Sequence, residues 1–162
     1  MDYAYYDAAT IGLDFKGVLE ALEGAPRGSV FLLHACAHNP TGVDPTSEQW
    51  KKMGERMLEK GHFAFFDCAY QGFASGDLDR DAGAVRMFEK MGVRMLVCQS
   101  FAKNAGLYGE RVGALHVVGE SGEEAGRLKS QLSVLQRSEI SNPPSHGARL
   151  VSGEQTARGK RR

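Results

Sequence analysis

Apolar positions follow two alternating rhythms along this chain. Phe15, Val18, Leu19 and Leu22 recur at helical spacing behind Asp14, a residue suited to capping, and Gly24 and Pro26 end the stripe. Ser29 to His34 is a continuous apolar run, the pattern of a strand buried on both faces. It breaks at Asn39-Pro40-Thr41-Gly42, a turn signal. Thr46 and Gln49 then predict a capping box for a helix that places Trp50, Met53, Met57 and Leu58 along one side, closed by Gly61. His62 to Asp67 predicts a second buried strand. A third helix follows, with Ala82, Val85, Phe88 and Met91 inward and Gly92 at its end. Val93 to Cys98 and Arg111 to Val118 predict two more strands. Glu123 to about Arg137 predicts a helix with Leu128, Leu132 and Leu135 facing in, and a short apolar piece follows at Ala148 to Val151. Residues 152–162 have no apolar periodicity and end in cations, so a disordered basic tail is expected there.

Strand, helix, strand, helix, strand is the rhythm of an α/β domain with a mainly parallel sheet and helices on its faces. Ligands in such sheets bind beyond the carboxyl ends of the strands. Asn39 follows the first strand, Asp67 and Tyr70 the second, Ser100 and Lys103 the third. Groups distant in sequence are therefore expected to converge at one rim.

Composition narrows the field. The 162 residues suffice for one domain with a core, and 42% hydrophobic content is ordinary for a globular chain. Zero formal net charge gives no general attraction to nucleic acid or anionic membrane. No apolar run approaches the ~18 residues that would span a bilayer. The acidic, aromatic start is unlike a signal or transit peptide. Cys36, Cys68 and Cys98 are odd in number and lack metal-ligand spacing, so they read as reduced apolar residues and no metal site is expected.

The chemistry centres on Val97 to Val118. Lys103 lies among small or uncharged residues at the mouth of a strand, a place for a tuned amine or a Schiff-base former. Ser100 and Arg111, a hydroxyl and a guanidinium, are suited to gripping a phosphate. With a carboxylate, a phenol and an amide at the same rim, the set suits pyridoxal phosphate. Ser100-Phe-Ala-Lys103 also fits the Ser-x-x-Lys of serine acylases, but Ser-Asp-Asn and Lys-Thr-Gly are absent. His38 and His62 have no metal partners in view and read as loop and strand-edge residues; His146 and Arg149 read as structural.

Four motifs carry a resemblance. They are His-Ala-Cys-Ala-His-Asn-Pro-Thr-Gly (34–42), Phe-Phe-Asp-Cys-Ala-Tyr-Gln-Gly-Phe-Ala-Ser-Gly (65–76), Gln-Ser-Phe-Ala-Lys-Asn-Ala-Gly-Leu-Tyr-Gly-Glu-Arg-Val-Gly (99–113) and Ser-Asn-Pro-Pro (141–144). In order and spacing they resemble the aspartate aminotransferases, which are fold-type I pyridoxal-phosphate enzymes, over roughly residues 3–151.

The resemblance implies a partial three-layer α/β/α sandwich, with residues 1–151 as part of the family's cofactor-binding large domain. It implies that Lys103 is the Schiff-base lysine and that Asp67 pairs with the pyridinium nitrogen. Tyr70 and Asn39 would donate to the cofactor's phenolic oxygen, with Asn39 also near substrate. Ser100 and Arg111 would bind its phosphate. His34 would stand behind Asp67. Arg137 would reach into a neighbouring subunit and bind the side-chain carboxylate of aspartate or glutamate, which implies a homodimer. The Asn39-Pro40 bond is expected cis.

The implied reaction exchanges an amino group between aspartate and 2-oxoglutarate, in the cytoplasm, with a mitochondrial location also open. The segments that the family carries before Asp2 and the small domain with its α-carboxylate arginine do not occur in this sequence, so it is expected to be a truncated form. A catalytically silent form that dimerises or holds cofactor, and a transaminase for aromatic amino acids, are the alternatives.

Overall fold

The computed structural model describes residues 2–159. Two short strands, β1 (Tyr6–Asp7) and β2 (Gly12–Leu13), pair antiparallel at the start. Helix α1 (Phe15–Gly24) follows, capped by the Asp14 carboxylate accepting from the Gly17 N–H at 2.8 Å. Then come β3 (Val30–His34), α2 (Ser47–Lys60), β4 (Phe63–Cys68), α3 (Leu78–Asp81), α4 (Gly83–Met91) and β5 (Met95–Ser100). A 3-10 turn at Tyr108–Glu110 precedes β6 (Gly113–Val118), α5 (Gly122–Glu139) and α6 (His146–Gly159). The expected capping box opens α2, with Thr46 and Gln49 bonding reciprocally, and Gly61 in the left-handed region closes that helix.

The main sheet has the order β3-β4-β5-β6. The first three strands are parallel, and β6 runs antiparallel to β5. Side chains alternate across the sheet, so Phe31, Leu33, Ala64, Phe66, Met95 and Val97 share one face. Helices α1, α2 and α4 cover that face with Val18, Leu22, Trp50, Met53, Met57 and Phe88. Trp50, Phe66 and Phe88 form a mutual aromatic cluster with centroids 5.1–5.8 Å apart.

The opposite face is only partly covered. Helix α5 borders Leu115 and Val117 of β6, and this makes the third layer of a partial α/β/α sandwich. Further along, Val30 and Leu32 are 63% and 53% exposed. The apolar run at Ser29 to His34 was expected to be buried twice over, yet β3 alternates between covered and open sides. Apolar content alone cannot say which layers a chain supplies.

Other expectations shift for related reasons. Leu58 and Leu135 are 42% and 55% exposed. Leu58 lies towards solvent although its neighbour Met57 is fully buried, and α5 as a whole has no fully buried residue. His62 is no edge residue: it is 2% exposed, with Nε2 2.8 Å from the Leu22 carbonyl oxygen and its ring 5.0 Å from Phe31. The stretch from 152, expected to be disordered, continues α6 as far as Gly159; residues 160–162 lie outside the described residues. The helix is nucleated upstream, where the Arg149 N–H bonds the Ser145 carbonyl and Val151 is buried, and extending a formed helix costs little. The three cysteines are free, as expected. No helix among the described residues is long and apolar enough to cross a membrane.

Candidate active site

Parallel pairing of β3, β4 and β5 brings their carboxyl ends side by side. His34 lies opposite Asp67, and Asp67 opposite Cys98. By alternation His34, Asp67, Cys98 and Ser100 all belong to the open face. Because β6 runs back along β5, Gly113 lies opposite Ser100 and carries Arg111 to the same rim. A groove of about 610 Å³ results, lined in part by Leu32, Phe65, Asp67, Ser100 and Arg111.

Asp67 is half-buried in this groove and enters no ion pair among the described residues. Its charge is felt by its neighbours. Burial first, and Asp67 second, push the Cys68 thiol up to about 11 and raise Cys98 as well. Asp67 is thus a carboxylate with no salt-bridge partner among the described residues, and cationic nitrogen suits it.

The loop after β5 positions the lysine. The Ala102 N–H donates to Ser100 Oγ at 3.2 Å, Ala105 N–H to the Phe101 carbonyl, and Gly106 N–H to the Lys103 carbonyl at 3.0 Å. Gly106 has φ +69°, which an L side chain rarely adopts. The Phe101 N–H bonds the Val112 carbonyl at 3.1 Å and ties this loop to the start of β6. Lys103 is half-buried, and its Nζ stands 3.7 Å from the centroid of the Tyr70 ring. A cation over a ring face is worth ~0.5–2 kcal/mol, depending on desolvation.

The remaining residues sit at different distances from this centre. The Asn39-Pro40 bond is cis. The Asn39 N–H donates to His34 Nδ1 at 2.9 Å, so the loop bearing Asn39 is tied to the strand beside Asp67. Asp44 secures the same loop by accepting from the Ala37 and His38 N–H groups at 2.6 and 2.9 Å. Arg111 adopts the left-handed region with φ +49° and donates to the Tyr108 carbonyl at 3.3 Å. Arg137 stands apart: it is exposed in the last turn of α5, donates to Ser141 Oγ, and does not line the groove.

Sequence reasoning passed over two polar groupings around this site. Gln71, Gln99 and His116 form a chain, with Gln99 Nε2 donating to Gln71 Oε1 at 2.7 Å and His116 Nε2 lying 3.1 Å from Gln99 Oε1. Asp81, 5% exposed, accepts from the loop that follows Tyr70. Its only trace in the sequence is the acidic spacing Asp77-x-Asp79-x-Asp81, which reads equally well as a helix start.

The family model for aminotransferase class I and II matches residues 1–154. The chain is 56% identical over 151 residues to a mitochondrial aspartate aminotransferase P2 of Lupinus angustifolius, covering 93% of this chain and 33% of the relative. It is 59% identical over 150 residues to a cytoplasmic aspartate aminotransferase of Oryza sativa, covering 93% and 37%. The crystal structure of an aromatic-amino-acid aminotransferase from Burkholderia pseudomallei, covalently bound to pyridoxal phosphate, superposes with a TM-score of 0.92 at 45% identity. That match covers 94% of this chain and 38% of the other. The chain thus spans about a third of the length of the curated relatives it matches. The parallel sheet, the rim that gathers Asp67, Ser100 and Arg111, and the match over nearly the whole sequence have one meaning: this chain belongs to the class I and II aminotransferases.

Proposed function

We propose that residues 1–151 are the cofactor-holding part of the large domain of an aspartate aminotransferase. The reaction would move an amino group between aspartate and 2-oxoglutarate, giving oxaloacetate and glutamate. The observation that carries this reading is the open-face groove, in which an unpaired carboxylate, Asp67, lies beside a hydroxyl and a guanidinium, Ser100 and Arg111. The relatives' names supply aspartate as the amino donor.

The residues present fit pyridoxal 5′-phosphate. Asp67, half-buried in the open-face groove and in no ion pair among the described residues, is suited to a protonated ring nitrogen. Ser100 and Arg111 offer donors to a phosphate from opposite sides of the β5–β6 pair. When bound, this cofactor supplies an aldehyde carbon and an electron-withdrawing ring that together stabilise negative charge at the substrate Cα.

The protein's own groups do the rest. Lys103 Nζ would hold the cofactor through its aldehyde carbon, and as a free amine would be the base that moves a proton from the substrate Cα. Tyr70 Oη and the Asn39 amide would be donors to the cofactor's phenolic oxygen. His34, with Nδ1 accepting from the Asn39 N–H, carries its proton on Nε2 when neutral and faces the Asp67 strand position. Arg137 serves a second copy of the chain in a homodimer, binding the substrate's side-chain carboxylate there; its exposure and its distance from the groove of its own chain support that role. The location is taken to be cytoplasmic, as for the rice relative.

The test is titration of the protein with pyridoxal phosphate. A visible absorption change is expected that disappears in Lys103→Ala; borohydride should bleach it while leaving the ring covalently attached to Lys103. No lysine-dependent change would refute the reading. Rates with aspartate and phenylalanine then separate the aspartate enzyme from an aromatic one, and cell fractionation settles the compartment.

A second reading has its own support. Val30, Leu32 and Leu115 are exposed on the open face, an apolar surface suited to association. A chain that binds cofactor or dimerises without turning over would show the absorption change but no oxaloacetate.

A further inference from the structure

The loop from Tyr70 to Gly76 is wrapped around one carboxylate that the proposed chemistry does not use. Asp81 Oδ2 accepts from the Gly72 N–H at 2.8 Å and the Ala74 N–H at 3.1 Å, while Oδ1 accepts from the Ser75 hydroxyl at 2.5 Å. The turn closes on Tyr70 itself, whose carbonyl accepts from the Phe73 N–H at 2.9 Å. Gly72 has φ +95°, and a Cβ there would meet Leu78 Cδ2 at 3.0 Å, so the loop lies tightly over the start of α3. Asp81 is in turn held by α3, its N–H bonding the Asp77 carbonyl at 3.0 Å.

Burial alone would raise Asp81, but the bonds from Ser75, Gly72 and Ala74 outweigh it and hold the carboxyl below its usual range. The group is therefore a fixed anion, bonded through charge-assisted contacts stronger than neutral ones. The element it fixes ends in the ring over which Lys103 Nζ stands at 3.7 Å.

We propose that Asp81 is a positioning residue for the active site: by clamping residues 72–75 it sets where the Tyr70 ring lies, and through that ring where the Lys103 amine rests. This deepens the proposed function and rests on it for its meaning, but the placement it asserts is measurable without cofactor.

The experiment uses protein labelled with [13Cε]lysine, with the Lys103 signal assigned from its loss in Lys103→Ala. Ring current from Tyr70 should displace the Lys103 ε-methylene upfield, and Tyr70→Leu should abolish the displacement. Asp81→Asn should move the Lys103 signal towards the Tyr70→Leu position, while Trp50 emission and the Met53 and Met57 methyl signals stay as in the wild type. Asp77→Asn, which alters the α3 cap alone, should leave Lys103 where it is.

A folded Asp81→Asn with an unmoved Lys103 signal overturns the proposal, as does a wild type with no displacement. If Asp81→Asn loses the folded Trp50 and methionine signals, Ser75→Ala decides: a partial displacement in the same direction supports the clamp, and an unmoved signal overturns it. Pyridoxal phosphate added to the wild type separates the two readings. Absence of a Lys103-dependent absorption change would defeat the cofactor assignment while the Lys103 signal still decided the role of Asp81.

Discussion

Lys103 Nζ stands 3.7 Å above the centre of the Tyr70 ring, although 33 positions of chain separate the two residues. The contact arises because β4 and β5 are parallel neighbours, so the loops that leave their carboxyl ends meet. The ring face, not the hydroxyl, makes this contact. Tyr70→Phe should leave the amine where it is, whereas Tyr70→Leu should release it. Acetylation of Lys103, followed by mass spectrometry, should run roughly two- to fivefold faster in Tyr70→Leu than in the wild type, the equivalent of ~0.5–1 kcal/mol. Equal rates in all three proteins would show that the ring does not hold the amine.

His38 should make stability depend on pH. Its ring stacks on Tyr5 at 3.8 Å, lies 4.5 Å from His34, and has Nδ1 2.8 Å from Thr41 Oγ1. Burial first, and His34 second, push its pKa below the ordinary histidine value of 6.5, with Asp44 opposing. The unfolded chain therefore binds this proton at a higher pH than the folded one. The contribution of His38 is fully present above about pH 6.5 and is lost as pH falls towards the folded value. Urea midpoints should decline between pH 7.5 and 5.5, and His38→Gln should flatten that decline. An unchanged slope would exclude His38 as its source.

Gly113 is where β6 presses on β5. A Cβ there would lie 2.7 Å from the Gln99 carbonyl oxygen, a backbone atom that cannot step aside. Gly113→Ala should force the strands apart beside Ser100, at a cost of about 1–3 kcal/mol. The urea midpoint should fall, and the Ser100 and Arg111 amide resonances should shift more than those of α2. A neutral substitution would show that the pair can spread without loss.

Phe88 is fully buried against Trp50 and Phe66. Phe88→Ala should cost ~3–5 kcal/mol. That is a large part of the stability of a domain this size. Trp50 emission should report unfolding at a clearly lower urea concentration, with the opening of the core itself as the signal.

Part of this architecture is legible in the sequence. The stripes at Phe15–Leu22 and Trp50–Met57 name their buried faces because helical spacing is local. The Thr46–Gln49 box and the Gly61 and Gly92 stops are legible for the same reason. So is the rim: alternating strands and helices predict parallel neighbours, and parallel neighbours share an end, so Asn39, Asp67, Tyr70, Ser100 and Lys103 can be gathered from order alone. Asp81 is not readable, because a clamp on a loop six to nine positions away looks like any acid in a first helical turn. The exposure of Leu58 and Leu135 is equally hidden, since periodicity shows which side of a helix is apolar and not how much of that side another element covers.

The amino-acid order by itself determined most of the helices and strands, several of their caps and the end of the sheet at which the candidate residues appear, because these depend on neighbours a few positions apart. Only the tertiary structure decided that β6 runs antiparallel and so delivers Arg111 beside Ser100, that one sheet face stays largely open, and that the lysine rests on a tyrosine ring. Those outcomes depend on contacts between residues far apart in the chain. Their free energy is set by packing and by which surfaces find a cover, and no local pattern encodes either.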